Sequence, residues 1–108
     1  MHVFIVEDDI LIRRALSRAV RASGHNVTEC STVEQAVRIA GQLAWDVLVT
    51  DWDLPDGIGG EILARVRRHH AIVHSASSDV PYPWRDEYLF VAKGNNSIAR
   101  VVELINEF

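Results

Sequence analysis

The chain has 108 residues, 48% of them hydrophobic, and a formal net charge of −4 at pH 7. This length suits one domain with a sizeable core, and the negative charge argues against binding to nucleic acid. Cys30 is the only cysteine, which excludes an internal disulfide and favours a reducing compartment. The apolar run at residues 2–6 is too short for a signal peptide or a membrane span, so we expect a cytoplasmic protein.

In the first half of the chain, strand-like and helix-like patterns alternate. Residues 3–6 form a short apolar run, which predicts the first strand. Residues 9–22 have apolar side chains at helical spacing and precede a glycine, which predicts a helix. Residues 27–30 predict a weaker second strand. The STVE sequence at 31–34 has the pattern of a capping box and predicts a helix that runs to about residue 42.

The second half continues the alternation. Its predicted strands are residues 46–50, 71–74 and 88–92, and its predicted helices are residues 60–69 and 97–108. Strands that alternate with helices favour a parallel sheet covered on both faces. For one domain of this size we expect a flavodoxin-like α/β fold, a three-layer sandwich around a five-stranded parallel sheet in the order 2-1-3-4-5.

Chemically active side chains follow four of the predicted strands. Glu7 and Asp8 end the first strand, Asp51 ends the third, and Ser75 and Lys93 follow the fourth and fifth. In a parallel sheet these strand ends meet at one edge, where ligands bind. The sequence therefore predicts three carboxylates, a hydroxyl and an ammonium at one site.

This set of groups suits phosphoryl chemistry. Crowded carboxylates raise one another's pKa, and a divalent cation relieves the repulsion. Mg²⁺, or Mn²⁺ in its place, prefers carboxylate oxygens and few protein ligands. With the cation present, an ionised Asp51 can attack a phosphoryl group. Lys93 and Ser75 can then hold the remaining phosphoryl oxygens.

Four segments together resemble the bacterial response-regulator receiver domain, and the resemblance extends over nearly the whole chain. They are VFIVEDD at 3–9, VLVTDWDLPDGIGGE at 47–61, IVHSA at 72–76 and FVAKG at 90–94. The resemblance implies one receiver domain over residues 1–108, which acts as a phosphorylation-dependent signalling switch. It also implies that a histidine kinase or a histidine phosphotransfer protein supplies the phosphoryl group.

The resemblance assigns roles to individual residues. It implies that Asp51 is the phosphoacceptor, that Asp8 binds Mg²⁺ directly and that Glu7 acts through water. The other implied roles are a metal-binding backbone carbonyl at Asp53, a switch hydroxyl at Ser75, a phosphate-pairing ammonium at Lys93 and a switch aromatic at Phe90. Three residues adjoin the site, namely Asp9, Trp52 and Ala76. Asp9 falls at a variable position, and we expect Trp52 to lie exposed over the site.

The segment SSDVPYPWRDE at 77–87 departs from the family pattern. Receiver domains usually have a full helix there, but two prolines oppose helical geometry in this segment. We therefore predict a fourth helix that is missing or shortened, with Tyr82 and Trp84 as local cover. A second chain could also cover this face, which would give a homodimer through the fifth strand and the last helix. Gly94 stands where the family usually has proline.

Two other function classes remain open. A pseudo-receiver would use the fold as an interaction module without phosphorylation, and the altered 77–87 segment favours it. A phosphatase fragment of the haloacid-dehalogenase type is the other alternative, because DWD at 51–53 after an apolar strand is similar to the first motif of that family. The complete set of acids, lysine and serine opposes the pseudo-receiver, and the acid pair on the first strand favours the receiver over the phosphatase.

Overall fold

A computed structural model describes residues 1–65, 70–81 and 88–108. The strands in these ranges are β1 (His2–Val6), β2 (Asn26–Cys30), β3 (Val47–Thr50), β4 (Asp53–Leu54), β5 (Gly57–Ile58), β6 (His70–Ser75) and β7 (Leu89–Ala92). The helices are α1 (Ile10–Ala22), α2 (Val33–Ala40), α3 (Gly59–Leu63) and α4 (Ser97–Glu107). None of these helices is long and apolar enough to cross a membrane.

Five of the strands form one parallel sheet in the order β2-β1-β3-β6-β7. Each parallel neighbour requires a crossover, and the helices of these crossovers cover both faces of the sheet. This topology confirms the predicted flavodoxin-like fold and its strand order. It also brings the carboxyl ends of all five strands to one edge.

Alternate residues of β1 pack into two separate cores. Phe4 and Val6 belong to the core on the side of α2 and α3. Val3 and Ile5 belong to the core on the side of α1 and α4. Side chains on a strand alternate between faces, so the continuous apolar run on β1 is the pattern of a strand buried on both sides. All four side chains are fully buried, and burial of each is worth about 1.5–3 kcal/mol.

The connection between β6 and β7 differs from that of a full helical crossover. Residues 76–81 contain a turn and no helix, which confirms the prediction for that part of the connection. Val80 packs against the core on the side of α2 and α3, and the buried Tyr88 belongs to it. The Tyr88 hydroxyl donates a hydrogen bond to the carbonyl oxygen of Pro81. The predicted cover residues Tyr82 and Trp84 lie outside the described residues.

Two local predictions are corrected by the structure. The capping residue of α2 is Thr32, which accepts a hydrogen bond from the Gln35 amide, so the predicted capping box at 31–34 is one residue out of register. The helix predicted over 60–69 is helical from Gly59 to Leu63 and continues as a turn at 64–65, and residues 66–69 lie outside the described ranges. The short β4–β5 hairpin was not predicted.

Candidate functional site

The site lies at the carboxyl ends of the parallel strands. The Glu7 amide donates to the Cys30 carbonyl at 3.1 Å, and the Asp51 amide donates to the Val6 carbonyl at 3.0 Å. The Lys93 amide in turn donates to the Ser75 carbonyl at 3.0 Å. The sheet therefore holds the backbones of Glu7, Asp51 and Lys93 just beyond the regular strands.

Three carboxylates meet at this edge, as predicted. Glu7, Asp8 and Asp51 each offer an oxygen atom, and these atoms all lie within 4.8 Å of one another. Glu7 is 1% exposed and Asp51 is 7% exposed, whereas Asp8 lies at the surface. Carboxylate oxygens at this spacing are suitable ligands for a divalent cation, and the open side at Asp8 leaves room for water or phosphate.

Lys93 links the two buried carboxylates. Its ammonium nitrogen lies 2.6 Å from Glu7 Oε1 and 2.7 Å from Asp51 Oδ2. The lysine side chain is only 16% exposed, so solvent screens these contacts less than it would at an open surface. The ammonium therefore offsets part of the negative charge of the cluster.

The pKa values of the two buried carboxyl groups are shifted in opposite directions. Burial raises the pKa of Glu7 to about 7, and the hydrogen bond from Lys93 offsets only part of this increase. Burial alone would also raise the pKa of Asp51, but hydrogen bonds from Lys93 and then Ser75 hold it below its ordinary value. Asp51 is thus the carboxylate that stays ionised, while Glu7 takes the proton near neutral pH.

The second oxygen of Asp51 is held by the start of the hairpin. Asp51 Oδ1 accepts hydrogen bonds from the Trp52 amide at 2.6 Å and the Asp53 amide at 3.4 Å. The Gly59 amide then donates to the Trp52 carbonyl at 2.7 Å. A Cβ at Gly59 would lie 2.4 Å from the Asp51 carbonyl oxygen. Only glycine fits this approach, so Gly59 lets the hairpin close against the acceptor.

The structure places the remaining predicted residues around this centre. Ser75 is buried at the end of β6, and its hydroxyl accepts a hydrogen bond from the Ser77 amide at 3.1 Å. Ala76 follows it and is exposed. The side chain of Asp53 is exposed at the start of the hairpin. Phe90 is 39% exposed on β7, on the strand that leads to the lysine.

The prediction for Trp52 was wrong. Its side chain is only 9% exposed and belongs to the core on the side of α2 and α3. A Cβ on Gly60 would lie 2.7 Å from the Trp52 ring, which shows how closely α3 packs on the indole. Side chains alternate along an extended chain, so Trp52 points away from the edge to which Asp51 points. Burial of so large an aromatic surface favours this arrangement.

Asp9 has a structural role that the sequence analysis did not predict. Its carboxylate caps α1 by accepting hydrogen bonds from the Leu11 and Ile12 amides at 2.9 and 3.2 Å. Aspartate is a favoured residue at this position of a helix. The group of mutually close carboxylates does not include Asp9.

Arg13 is a residue of the site that sequence reasoning missed. Its guanidinium donates to the Glu7 carbonyl oxygen at 2.9 Å and lies 3.4 Å from the Glu29 carboxylate. It therefore fixes the loop that carries the first two acids. A contact with a backbone carbonyl six residues away leaves no signal in the sequence.

Asp56 is a second missed residue. Its carboxylate accepts hydrogen bonds from the Val33 and Glu34 amides at 2.8 and 3.0 Å. These bonds lower the pKa of Asp56 and attach the hairpin to the start of α2. A capping contact between residues this far apart in the sequence depends on the tertiary fold, so no local pattern predicts it.

Comparison with known proteins places this site in a family. The chain matches the model of the response regulator receiver domain over residues 3–85. It is similar to the KDP operon transcriptional regulatory protein KdpE of Escherichia coli strain K12, with 37% identity over 81 residues, 72% of this chain and 36% of that protein. It is also similar to the transcriptional regulatory protein PhoP of the same strain, with 24% identity over 94 residues, 87% of this chain and 42% of that protein. The chain spans less than half the length of these two relatives.

Solved structures show the same fold. The response regulator TrrA from Thermotoga maritima, in complex with Mg(2+)-BeF, superposes with a TM-score of 0.86 at 19% identity, over 98% of this chain and 96% of that chain. A chain from the complex of the histidine kinase ThkA with TrrA gives 0.79 at 17% identity, over 98% and 96%. The receiver domain of the Francisella response regulator 1452 gives 0.82 at 21% identity, over 98% and 93%.

Proposed function

The chain belongs to the response-regulator receiver domain family, and from this membership we propose that Asp51 accepts a phosphoryl group in two-component signalling. The observation that carries the proposal is the position of Lys93, whose ammonium reaches Asp51 and Glu7 at 2.7 and 2.6 Å. Residues from three strand ends thereby form one charged site. Such a domain is a signalling switch and not a metabolic enzyme.

The transfer itself is an in-line displacement at phosphorus. A carboxylate oxygen of Asp51 forms the new bond to phosphorus while the bond from phosphorus to the donor's imidazole nitrogen breaks, and the electron pair stays on that nitrogen. The low pKa of Asp51 keeps this carboxylate ionised. The Lys93 ammonium and the Ser75 hydroxyl stabilise the phosphoryl oxygens. The proposed donor is a histidine kinase or a histidine phosphotransfer protein.

The acidic cluster fits a divalent cation, which we propose to be Mg²⁺ or Mn²⁺. Its three carboxylate oxygens and the backbone carbonyl of Asp53 are the hard ligands that such cations prefer. Asp8 suits direct binding because it is exposed, whereas Glu7 Oε1 is already paired with Lys93, which suits contact through water. The bound cation would neutralise charge on the acids and on the phosphoryl group.

We also propose that the receiver unit extends over residues 1–108. The matched region ends at residue 85, but β7 completes the sheet and delivers Lys93, and α4 covers the sheet face beside α1. We propose that the domain acts in the cytoplasm, where a phosphohistidine donor would supply the phosphoryl group. The switch would act on its partner through β7 and α4, where Phe90 lies partly exposed.

Intact-mass measurement after incubation with Mg²⁺ and acetyl phosphate tests the proposal. The wild-type chain should gain one phosphoryl mass, and Asp51→Asn should gain none. Asp53→Asn is the matched control, because it removes an adjacent exposed carboxylate but keeps the backbone carbonyl. This control should still be phosphorylated.

The alternatives predict other outcomes of the same experiment. No mass gain in a folded wild-type chain that binds Mg²⁺ would favour a pseudo-receiver. An equal gain in wild type and Asp51→Asn would refute Asp51 as the acceptor. Multiple turnover of a simple phosphate ester would favour a phosphatase of the haloacid-dehalogenase type, which the family match argues against.

A further inference from the structure

A buried histidine lies beneath the loop that carries Lys93. His74 precedes Ser75 on β6 and is 2% exposed. Its Nε2 atom lies 2.8 Å from the hydroxyl oxygen of Ser97, the first residue of α4. The same oxygen accepts a hydrogen bond from the Gly94 amide at 3.3 Å. A chain of hydrogen bonds thus connects the strand to the residue that follows Lys93.

Within the loop, the Ser97 amide donates a hydrogen bond to the Gly94 carbonyl oxygen at 3.2 Å. A Cβ at Gly94 would have no atom within 4 Å, and residues 94–96 are exposed. Asn96 stands in the left-handed region with φ 65°, and its side chain makes no capping hydrogen bond to α4. Ser97 is 8% exposed, so its hydroxyl connects an exposed loop to the buried part of the sheet.

Packing alone does not explain a histidine at this position. Its neighbours Ile72 and Val73 on β6 are fully buried and apolar. The His74 Nδ1 atom is buried without a hydrogen-bond partner in the described structure, and burial of an unpaired polar group costs stability. An aliphatic side chain would avoid this cost, and residues that violate a packing rule tend to occur at functional sites.

We propose that His74 is a positioning residue, which through Ser97 and Gly94 holds the loop so that the Lys93 ammonium reaches Asp51. This inference rests on the proposed phosphoacceptor function, because it assigns His74 a part in the same reaction. His74 does not contact the phosphoryl group itself. Its effect on the reaction passes through Lys93. Loss of the His74–Ser97 contact and loss of the Lys93 ammonium must therefore have coupled effects on the phosphorylation rate.

A double-mutant cycle tests this coupling through the rate of phosphorylation by acetyl phosphate at saturating Mg²⁺. Ser97→Ala should slow the reaction about fivefold, the loss expected for one buried hydrogen bond. Ser97→Thr keeps the hydroxyl and should restore the rate. In a Lys93→Ala background, Ser97→Ala should have no further effect, because residues that act through one another are not additive. Equal slowing in both backgrounds would overturn the proposal.

A second measurement needs no phosphate donor. Lys93 is the only lysine in the sequence, so ¹³C-labelled lysine gives one set of side-chain signals. Ser97→Ala and His74→Leu should lower the order parameter of the Lys93 Cε methylene and speed exchange of the Gly94 amide. A folded His74→Leu with both values unchanged would contradict the positioning role. If the wild type takes no phosphate, the proposed function fails, and these signals still decide the role of His74.

Discussion

At the scale of single residues, the site depends on the balance between one ammonium and three carboxylates. Lys93 contacts Glu7 and Asp51 at hydrogen-bond distance, and Asp8 has its oxygen in the same cluster. A cation at this site would compete with Lys93 for the same oxygens. The lysine therefore belongs to the transfer step more than to metal binding.

Lys93→Ala should keep Mg²⁺ binding and lose phosphorylation rate. Without the ammonium, Asp51 Oδ2 and Glu7 Oε1 are free for the cation, so Mg²⁺ affinity should be equal or higher. The phosphorylation rate should fall about tenfold or more, because a preorganised charge that stabilises the phosphoryl oxygens is lost. Calorimetric titration with Mg²⁺ and intact mass against time measure the two effects. Loss of Mg²⁺ binding in the folded variant would contradict this role.

Glu7 should make the stability of the metal-free protein depend on pH. Its pKa is raised from 4.5 to about 7 in the folded chain, so the native state binds the proton more tightly than the unfolded state. Between about pH 4.5 and 7 the contribution of Glu7 to the free energy of unfolding should therefore fall as pH rises, by about 3 kcal/mol for a shift of this size. His74 acts in the opposite sense, because burial lowers its pKa to about 4.

Urea unfolding in EDTA at pH 5 and pH 8 measures this dependence. The stability of the wild type relative to Glu7→Gln should fall from pH 5 to pH 8, because the opposing contribution of His74 is common to both proteins. Asp53→Asn should follow the wild type at both pH values. Mg²⁺ favours the ionised carboxyl, so it should stabilise the wild type more at pH 8 than at pH 5. A stability difference between wild type and Glu7→Gln that is the same at both pH values would show that Glu7 does not have a raised pKa.

At the scale of elements, the β4–β5 hairpin connects the acceptor to two helices. Its first amides bind Asp51, its Asp56 carboxylate caps α2, and Gly59 begins α3 against the Asp51 carbonyl. The hairpin therefore holds both the carboxylate and the backbone carbonyl of Asp51 in place. Neither strand of the hairpin has more than two residues, so its stability comes from these contacts.

Gly59→Ala should damage both the fold and the site. The new methyl group would lie 2.4 Å from the Asp51 carbonyl oxygen and 3.2 Å from Thr50 Cγ2, and an overpacked site of this kind costs about 1–3 kcal/mol. Gly41→Ala is the matched control, because the nearest atom to its added Cβ is the Arg38 carbonyl oxygen at 3.8 Å. Urea unfolding and phosphorylation rate should both change in the first variant and not in the second. Equal stability of the two variants would count against close packing at Gly59.

The sequence predicted those parts of the fold and site that depend on local pattern. The apolar run on β1 indicated a strand buried on both faces, and strand alternation alone brought Glu7 and Asp51 to one edge. Trp52 was misplaced because its burial depends on space beneath α2 and α3. The Asp56 contact was missed because it requires α2 to lie beside the hairpin, which no local pattern shows.

At the scale of the whole molecule, the feature that bears on self-association is the sheet face near β7. Val80 and Tyr88 cover part of the face where receiver domains have a fourth helix. Leu89 and Phe90 remain 40% and 39% exposed on β7, which is the edge strand of the sheet. Edge strands with exposed apolar residues readily pair with other chains. This geometry supports the proposal of a homodimer through β7 and α4.

Sedimentation equilibrium over a range of concentrations should detect this self-association. Leu89→Asp should weaken it about tenfold or more, since a buried apolar contact at an interface core contributes over 1 kcal/mol. Leu11→Asp is the matched control, because Leu11 is 75% exposed on α1, which is not part of the predicted dimer surface. Phosphorylation should strengthen the wild-type dimer if Ser75 and Phe90 shift together, because a modification that favours one packing of β7 changes the population of the form that dimerises. A monomer at every concentration, or equal weakening by both variants, would leave β7 without a role in self-association.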